Sequence, residues 1–421
     1  MARGRVPVLW ITGPAGVGKS TVSWQLFTEL AGSGTRAAFA DADQLCMCYP
    51  APPDDPGRDL IKARNVGVVI RNSQAAGARR VIVNGVVDPA LGVRRDLLEQ
   101  AEVTVCRLRA DQDEVVRRFT GRQRGGTGEA GDLVRQVRDD CDRMDASGFA
   151  DVCVDTTGVS AAEAAGLVRD RCRGWPGFGL VGEQPGAASA TPDRPAGSEA
   201  NGSGGHVLLL CGPAGVGKST IGFQLYLRCL RAGLTAAYID LDQIGFLTPR
   251  PDGDPRNHRL KARNLAGIWR TCHAAGARHL VMSGPIENQA VLRSYVAALP
   301  AAAVTTCRLH AGPAELRRRI MTRGEGDSWP QPGDPLRGQP ASYLSRVAEQ
   351  AAAEAQALDH TPLDALRIDT DGRAAAEAAD LTAATAGWPG RGRGLSSPPS
   401  SQVPPGNPRG PGTPPPGRRG C

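Results

Sequence analysis

The chain has 421 residues with 53 glycines and 33 prolines, which is typical of two or three domains joined to linker or tail segments. Its apolar runs are too short to span a membrane, and most of its net charge of +7 lies in five arginines beyond Gly390, so we expect neither a membrane nor a nucleic-acid partner. The N-terminus lacks a secretory pattern and the 11 cysteines form no CxxC pair, which favours reduced thiols and a cytoplasmic location.

Short apolar runs alternate with helical patterns from the N-terminus onward. The predicted strands are Val6–Thr12, Arg36–Ala40, Arg80–Val83, Val103–Leu108 and Val152–Val154. The predicted helices are Lys19–Ala31, a helix that follows the proline-rich loop Tyr49–Gly57 and ends near Ala76, Pro89–Gln100, Gln112–Gly121, Asp132–Met144 and Ala161–Arg171. Strands that alternate with helices predict an α/β fold with a parallel sheet covered on both faces, whose ligands bind at the carboxyl ends of the strands.

The same pattern occurs twice. Residues 13–21 and 212–220 share the sequence GPAGVGKST and lie 199 residues apart. The same offset relates the pair Asp41 and Asp43 to Asp240 and Asp242. A tandem duplication is therefore predicted. Its parts are a first domain over 1–175, a linker over 176–205, a second domain over 206–388 and a tail over 389–421, and the linker and tail are expected to be disordered because large apolar residues are scarce there.

The glycine loop predicts a nucleotide site. A GxxxxGK[ST] loop between a strand and a helix wraps phosphates with backbone N–H groups, while its lysine reaches the terminal phosphates and its hydroxyl binds Mg²⁺. We therefore expect ATP and Mg²⁺ as ligands and two P-loop NTPase domains as the fold. The predicted nucleotide-binding residues are Gly13, Gly16, Gly18, Lys19, Ser20, Thr21, Gly212, Gly215, Gly217, Lys218, Ser219 and Thr220.

Carboxylates follow the second predicted strand of each repeat. Beside a phosphate loop, such acids hold Mg²⁺ or accept a proton from an attacking hydroxyl. We assign Lys19, Asp41, Lys218 and Asp240 as catalytic, and Ser20, Asp43, Ser219 and Asp242 to the metal. The alternative interpretation is a strand-end turn whose acids cap a helix.

Arginines also recur at matched positions. Guanidinium groups suit phosphate recognition, and an arginine-bearing helix before the glycine-rich segment Gly125–Gly128 is typical of a mobile lid. Arg122 and Arg323 are assigned to catalysis. The residues assigned to substrate binding are Arg64, Asn65, Arg94, Arg263, Asn264 and Arg293. The alternative is an ordinary solvated helix face.

Together these motifs resemble P-loop small-molecule kinases of the adenylylsulfate kinase, gluconate kinase and nucleotide kinase type. The resemblance rests on residues 13–21, Asp41-x-Asp43, Arg64-Asn65, the lid arginines and Asp155-Thr-Thr-Gly158. It implies that the first strand-end acid serves Mg²⁺ or the acceptor proton, and that Arg117 and Arg122 clamp the phosphates. The second repeat differs in its longer, proline-rich lid over 324–340, so a regulatory or degenerate second half is an open alternative.

Two functions fit these residues. The first is transfer of the terminal phosphoryl group of ATP to a small-molecule acceptor at one or both loops. The second is a regulatory ATPase or switch without such an acceptor. Neither repeat contains the Asn-Lys-x-Asp motif of a GTPase. A lid favours transfer, because it excludes water from a reactive phosphoryl group.

Overall fold

The computed structural model of the protein describes residues 4–121, 130–173, 175, 204–326 and 334–390. Arg122, the segment Gly125–Gly128, most of the predicted linker and nearly all of the predicted tail lie outside these ranges. Within them, no helix is both long and apolar enough to cross a bilayer.

Each repeat begins with a strand, a glycine loop and a helix. The first contains β1 (Val6–Thr12), α1 (Lys19–Gly32), β2 (Ala37–Asp41), β3 (Cys48–Tyr49), α2 (Asp59–Ala75), β4 (Arg80–Asn84), β5 (Ala101–Arg109), α3 (Gln112–Thr120), α4 (Ala130–Asp145), β6 (Val152–Asp155) and α5 (Ala161–Arg171). The second contains β7 (Gly205–Cys211), α6 (Lys218–Arg231), β8 (Ala236–Asp240), β9 (Phe246–Thr248), α7 (His258–Ala274), β10 (His279–Ser283), α8 (Gln289–Ala297), β11 (Ala302–His310), α9 (Pro313–Gly324), α10 (Ala341–His360), β12 (Leu366–Asp369) and α11 (Ala375–Ala386).

These elements form two six-stranded, mostly parallel sheets, consistent with an α/β P-loop fold. The strand orders are β6-β5-β1-β4-β2-β9 and β12-β11-β7-β10-β8-β3. In both sheets the strand that leads into the glycine loop is central and is flanked by parallel partners. This order brings the loop and the end of the second strand to the same edge of the sheet.

The outermost strand of each sheet comes from the other repeat. Strand β9 pairs antiparallel with β2, with Phe39 opposite Phe246, and β3 pairs antiparallel with β8, with Cys48 opposite Ala237. The prediction of purely parallel sheets was therefore incomplete, because each carries one antiparallel strand. The pairing covers backbone groups that an edge strand otherwise leaves without partners.

Helices α2 and α7 pack against each other between the sheets. Val68 and Gly267 are counterparts at the 199-residue offset, and a Cβ placed on Gly267 would lie 2.4 Å from Val68 Cγ1. Nearby, Asn72 Nδ2 donates to Asn264 Oδ1 at 2.9 Å. Because equivalent positions meet, the repeats are related by a pseudo-twofold axis that passes through this contact.

Alternate residues of each central strand enter different cores. In β1, Val8 and Trp10 join a core that contains α2, α7 and residues of the second sheet, whereas Leu9 and Ile11 pack beneath α1 and α5. This alternation is what a pleated strand buried on both faces requires. One central core thus joins the repeats, and each repeat has a second core on its outer side.

Most predicted elements are confirmed within one or two residues, but one helix is wrong. In place of the predicted helix Pro89–Gln100, the structure has a single 3-10 turn, Arg95–Leu97. Gly92 has φ +65°, which interrupts the segment. In the second repeat the corresponding helix α8 does form, and Asn288 caps it by accepting from two backbone N–H groups.

The contact at the pseudo-twofold axis yields a stability prediction. We expect Gly267→Val to lower the free energy of unfolding by about 1–3 kcal/mol, because the new side chain overlaps Val68. The double variant V68G/G267V exchanges the two side chains across the axis and should recover most of that loss. Thermal unfolding measures both. An unchanged melting temperature for Gly267→Val, or no recovery in the double variant, would contradict the close contact.

Candidate active site

The glycine loops are shaped by backbone angles that side chains rarely adopt. Gly13, Gly16 and Gly18 have φ of +144°, +90° and +101°. A Cβ on Gly13 would lie 2.4 Å from the Leu108 carbonyl oxygen, whereas one on Gly18 would meet no atom within 4 Å. The second loop repeats these features, with φ of +140°, +78° and +100° at its three glycines. Glycine is thus required for packing at one position and for the backbone angle at the other.

The loop lysines fold back onto their own loops. Lys19 Nζ donates to the Pro14 carbonyl at 3.0 Å, and Lys218 Nζ donates to the carbonyls of Gly212 and Pro213 at 2.9 and 2.8 Å. Burial lowers the pKa of the Lys218 ammonium. Each ammonium therefore lies at the mouth of a helix N-terminus, where phosphate oxygens are favoured.

The first strand-end acid approaches the loop serine in both repeats. Ser219 Oγ donates to Asp240 Oδ2 at 2.7 Å. In the first repeat Asn84 connects the two groups, since its Nδ2 lies 2.7 Å from Asp41 Oδ2 and 3.1 Å from Ser20 Oγ. Hydroxyl and carboxylate oxygens are the hard donors that Mg²⁺ prefers, so these groups fit the ion.

These buried acids have unusual proton affinities. Burial, aided by the Asp43 carboxylate, raises the pKa of Asp41 to about 7. Burial and the neighbouring Asp242 likewise raise the pKa of Asp240. A carboxylate that titrates near neutrality suits general-base chemistry better than one with an ordinary pKa.

The second strand-end acid of each repeat is held by a lysine. Lys62 Nζ lies 3.1 Å from Asp43, and Lys261 Nζ lies 2.7 Å from Asp242. Both lysines are buried, whereas the carboxylates are about half exposed. The loop serine of the second repeat thus pairs with Asp240 rather than with Asp242. Sequence reasoning missed these lysines, although they stand in the repeated Lys-Ala-Arg-Asn segment.

The residues assigned to substrate binding are mostly placed elsewhere. Asn65 and Asn264 are fully buried, and their amides donate to the carbonyls of Leu45 and Ile244 at 2.7 and 2.6 Å. These bonds hold the segment that links the strand-end acids to the exchanged strand. The assigned arginines do not join them, since Arg64, Arg263 and Arg293 are exposed and Arg94 pairs with Asp96.

One arginine in each repeat lies against the glycine loop. Arg319 donates to the Val216 carbonyl at 3.0 Å and to the Thr370 carbonyl at 2.7 Å, and Arg118 makes the corresponding contact with Val17 at 3.4 Å. The assigned Arg323 pairs instead with Asp334 at 2.9 Å. Arg118 and Arg319 are therefore the arginines that the structure places beside the glycine loops. In the sequence, each could have been found from the glutamate that lies four residues earlier on the same helix.

A large cavity opens at the second loop. Its volume is about 1320 Å³, more than the upper range of about 1000 Å³ for typical ligand pockets. Lys218, Asp240 and Arg319 line one part of it, while Trp24 and Met47 of the first repeat contribute to its wall. The cavity has room for a nucleotide and a second small molecule, and both repeats build it.

Comparisons with known proteins give likenesses among solved structures only. No protein-family model matches the sequence, and no curated protein matches it. The chain is similar to the tunicamycin resistance protein of Deinococcus radiodurans, with 19% identity, a TM-score of 0.30, and coverage of 40% of this chain and 96% of that one. It is also similar to a gluconokinase from Sinorhizobium meliloti 1021, with 17% identity, a TM-score of 0.28 and coverage of 41% and 97%.

A third similar structure is a shikimate kinase from Acinetobacter baumannii in complex with shikimate, with 19% identity, a TM-score of 0.28 and coverage of 40% and 94%. Each alignment covers about the length of one repeat. At these TM-scores the assignment of an α/β P-loop fold depends on the strand order and glycine loops of the chain itself.

The two loops predict two nucleotide sites. Lys19→Ala and Lys218→Ala should each remove one ATP site, because each ammonium neutralises phosphate charge at its own loop only. Calorimetry with ATP and Mg²⁺ should give two sites for the parent protein and one for each variant. Two sites that persist in either variant would contradict the assignment, and equal melting temperatures would show that the variants remain folded.

Proposed function

We propose that the chain is an ATP-dependent phosphotransferase that moves the terminal phosphoryl group of ATP to a hydroxyl group of a small molecule. The observation that carries this proposal is the link between loop serine and buried strand-end acid, which is a direct hydrogen bond in the second repeat and runs through Asn84 in the first. It brings a phosphate cradle, hard oxygen ligands and a candidate base to one edge of each sheet. These are the parts that phosphoryl transfer needs.

The glycine loops and the residues around them bind ATP and Mg²⁺ in this proposal. Backbone N–H groups of the loops bind the phosphates, and Lys19 and Lys218 orient the terminal group. Ser20 and Ser219 would hold Mg²⁺, which neutralises phosphate charge when it is bound. Arg118 and Arg319 brace the loops from behind.

Proton transfer is assigned to the first acid of each pair. In this proposal Asp41 and Asp240 accept the proton of the attacking acceptor hydroxyl. Asp43 and Asp242, which the sequence analysis assigns to the metal, are each paired with a lysine and would face the acceptor in this proposal. Proton transfer is assigned to the first acid because its burial raises its pKa, whereas the second acid is about half exposed.

A screen of candidate acceptors for ADP release tests the transfer reaction. It is run with the parent protein, Lys19→Ala and Lys218→Ala, so that each activity is assigned to one repeat. ADP release that depends on an acceptor, with formation of the phosphorylated product, supports transfer. Slow ADP release that no acceptor accelerates would contradict transfer and favour the alternative, an ATPase or switch. The exchange of strands between the two sheets also fits that alternative, because it couples the two repeats.

The raised pKa of Asp41 predicts a pH dependence. In Lys218→Ala, which leaves the first repeat to act, kcat/KM should rise about tenfold per pH unit below pH 7 and level off above it, since Asp41 accepts a proton only when ionised. Asp41→Asn should lower turnover far more than ATP affinity. A flat profile between pH 5.5 and 8, or equal losses of turnover and affinity, would contradict this role.

The pH dependence of the free energy of unfolding is a second test of the raised Asp41 pKa, and it needs no acceptor. The folded protein binds the Asp41 proton more tightly than the unfolded chain, whose carboxyl has a pKa near 3.8. The stabilisation of the folded protein by protonated Asp41 is therefore fully present below about pH 4 and is lost as the pH rises through about 7. Asp41→Asn should lose less stability over this interval than the parent protein.

A further inference from the structure

A set of paired charges lies beside the acid pair of the second repeat. Arg256 contacts two glutamates, with Nε 2.9 Å from Glu287 and Nη2 2.8 Å from Glu354. Lys261 is held by Asp242 at 2.7 Å. His258 Nε2 lies 3.0 Å from Glu287 and adds a positive charge only when protonated. Each of these cations is thus engaged by a carboxylate, and the group has no surplus positive charge.

Two buried amide oxygens on residues of the cavity wall lack donors. Gln243 Oε1 and Asn257 Oδ1 accept no hydrogen bond from any residue that the structure describes, and both side chains are 95% buried or more. The orientation of the Asn257 amide is fixed, because its Nδ2 donates to the carbonyls of Gly245 and Leu247 at 3.0 Å each. Both residues line the large cavity together with Arg256 and Glu354. A buried acceptor without a donor lowers the stability of the fold, so these oxygens favour a ligand that supplies N–H or O–H groups.

The first repeat keeps a glutamine, Gln44, at the position of Gln243 but differs at two other matching positions. Arg58 stands where the second repeat has Asn257, and its guanidinium donates to the Cys46 carbonyl at 3.1 Å and stacks on the Tyr49 ring at 3.8 Å. Gly57 replaces Arg256. The buried arginine fills space that the shorter asparagine does not, so this set of oxygens belongs to the second repeat.

We propose that the acceptor end of the second repeat binds an uncharged or amine-bearing polyhydroxyl compound and disfavours carboxylated or phosphorylated ones. The inference rests on the proposed phosphotransferase function and names its substrate class. Gln243, Asn257 and Glu354 would accept hydrogen bonds from hydroxyl or ammonium groups. An anionic compound would meet cations that are already paired and carboxylates that repel it. Arg250 also lines the cavity and is exposed.

Three six-carbon probes that differ in charge test the proposal: sorbitol, glucosamine and gluconate. Binding to Lys19→Ala saturated with ATP and Mg²⁺ is measured by calorimetry and ligand-observed NMR, and ADP release is followed in the same samples. We expect sorbitol or glucosamine to bind at least tenfold more tightly than gluconate. Gluconate binding that equals or exceeds both, or no binding of sorbitol and glucosamine, overturns the proposal.

Matched variants locate the effect. Gln243→Met, which keeps the length of the side chain but removes its oxygen, should weaken the preferred probe about tenfold, as the loss of one buried hydrogen bond predicts. Glu354→Gln should weaken glucosamine and strengthen gluconate, because it releases Arg256 from one partner. Asp88→Asn changes the first-repeat counterpart of Glu287 and should leave all three affinities unchanged. Equal effects of Glu354→Gln and Asp88→Asn overturn the assignment.

The outcomes also separate this inference from the proposed function. If ATP does not bind to Lys19→Ala, the proposed function fails. If ATP binds and the pocket selects gluconate, only the substrate class fails. If the preferred probe binds without ADP release, the pocket assignment stands and phosphoryl transfer to that probe is excluded.

Discussion

The exchange of edge strands between the repeats determines where both sites lie. Without β9, the backbone of β2 would form an open edge beside Asp41, and without β3 the same would hold for β8 beside Asp240. Each exchanged strand follows its own acid pair after only a few residues. The chain therefore leaves the site of one repeat and enters the sheet of the other at once. Because the carboxylates stand between these fixed points, each site depends on the sheet of its neighbour.

Apolar side chains pack each exchanged segment against the other repeat, and for β9 this packing is aromatic. Phe246 lies 5.1 Å from Trp24 of α1 and 5.5 Å from Phe39 of β2, measured between ring centroids. Met47 stands at the matching position and, like Phe223, packs against the outer core of the second repeat. Such pairs add stabilisation beyond the apolar area they bury. The helix that begins at the first glycine loop thus also packs against a segment of the other repeat.

Local sequence patterns predict much of this protein, and contacts between distant residues explain what they miss. The identical glycine loops, the apolar strands and the strand-end acids are visible because each is encoded within a few neighbouring residues. The exchange of β3 and β9 is not visible, since two or three residues in a proline-rich segment pair with a strand some 200 residues away. Nor does the sequence show which charged residue of α2 lies beside the acids, because both Lys62 and Arg64 carry charge and only packing places Lys62 there.

The pseudo-twofold arrangement explains how the repeats can share the proposed transfer residues and still differ beside them. The loops and strand-end acids are tied to the sheets and the exchanged strands, so a change there disturbs both repeats. The positions of Arg58 and Asn257 lie at the start of α2 and α7, where the side chains bond to carbonyls in or next to the exchanged segments. A long guanidinium closes this space in one repeat, and a short amide leaves it lined by acceptor oxygens in the other. Since the backbone is alike in both, with φ of 57° and 55°, the difference is one of side-chain volume and polarity. One scaffold thus holds two glycine loops of the same design beside side chains of different volume and polarity.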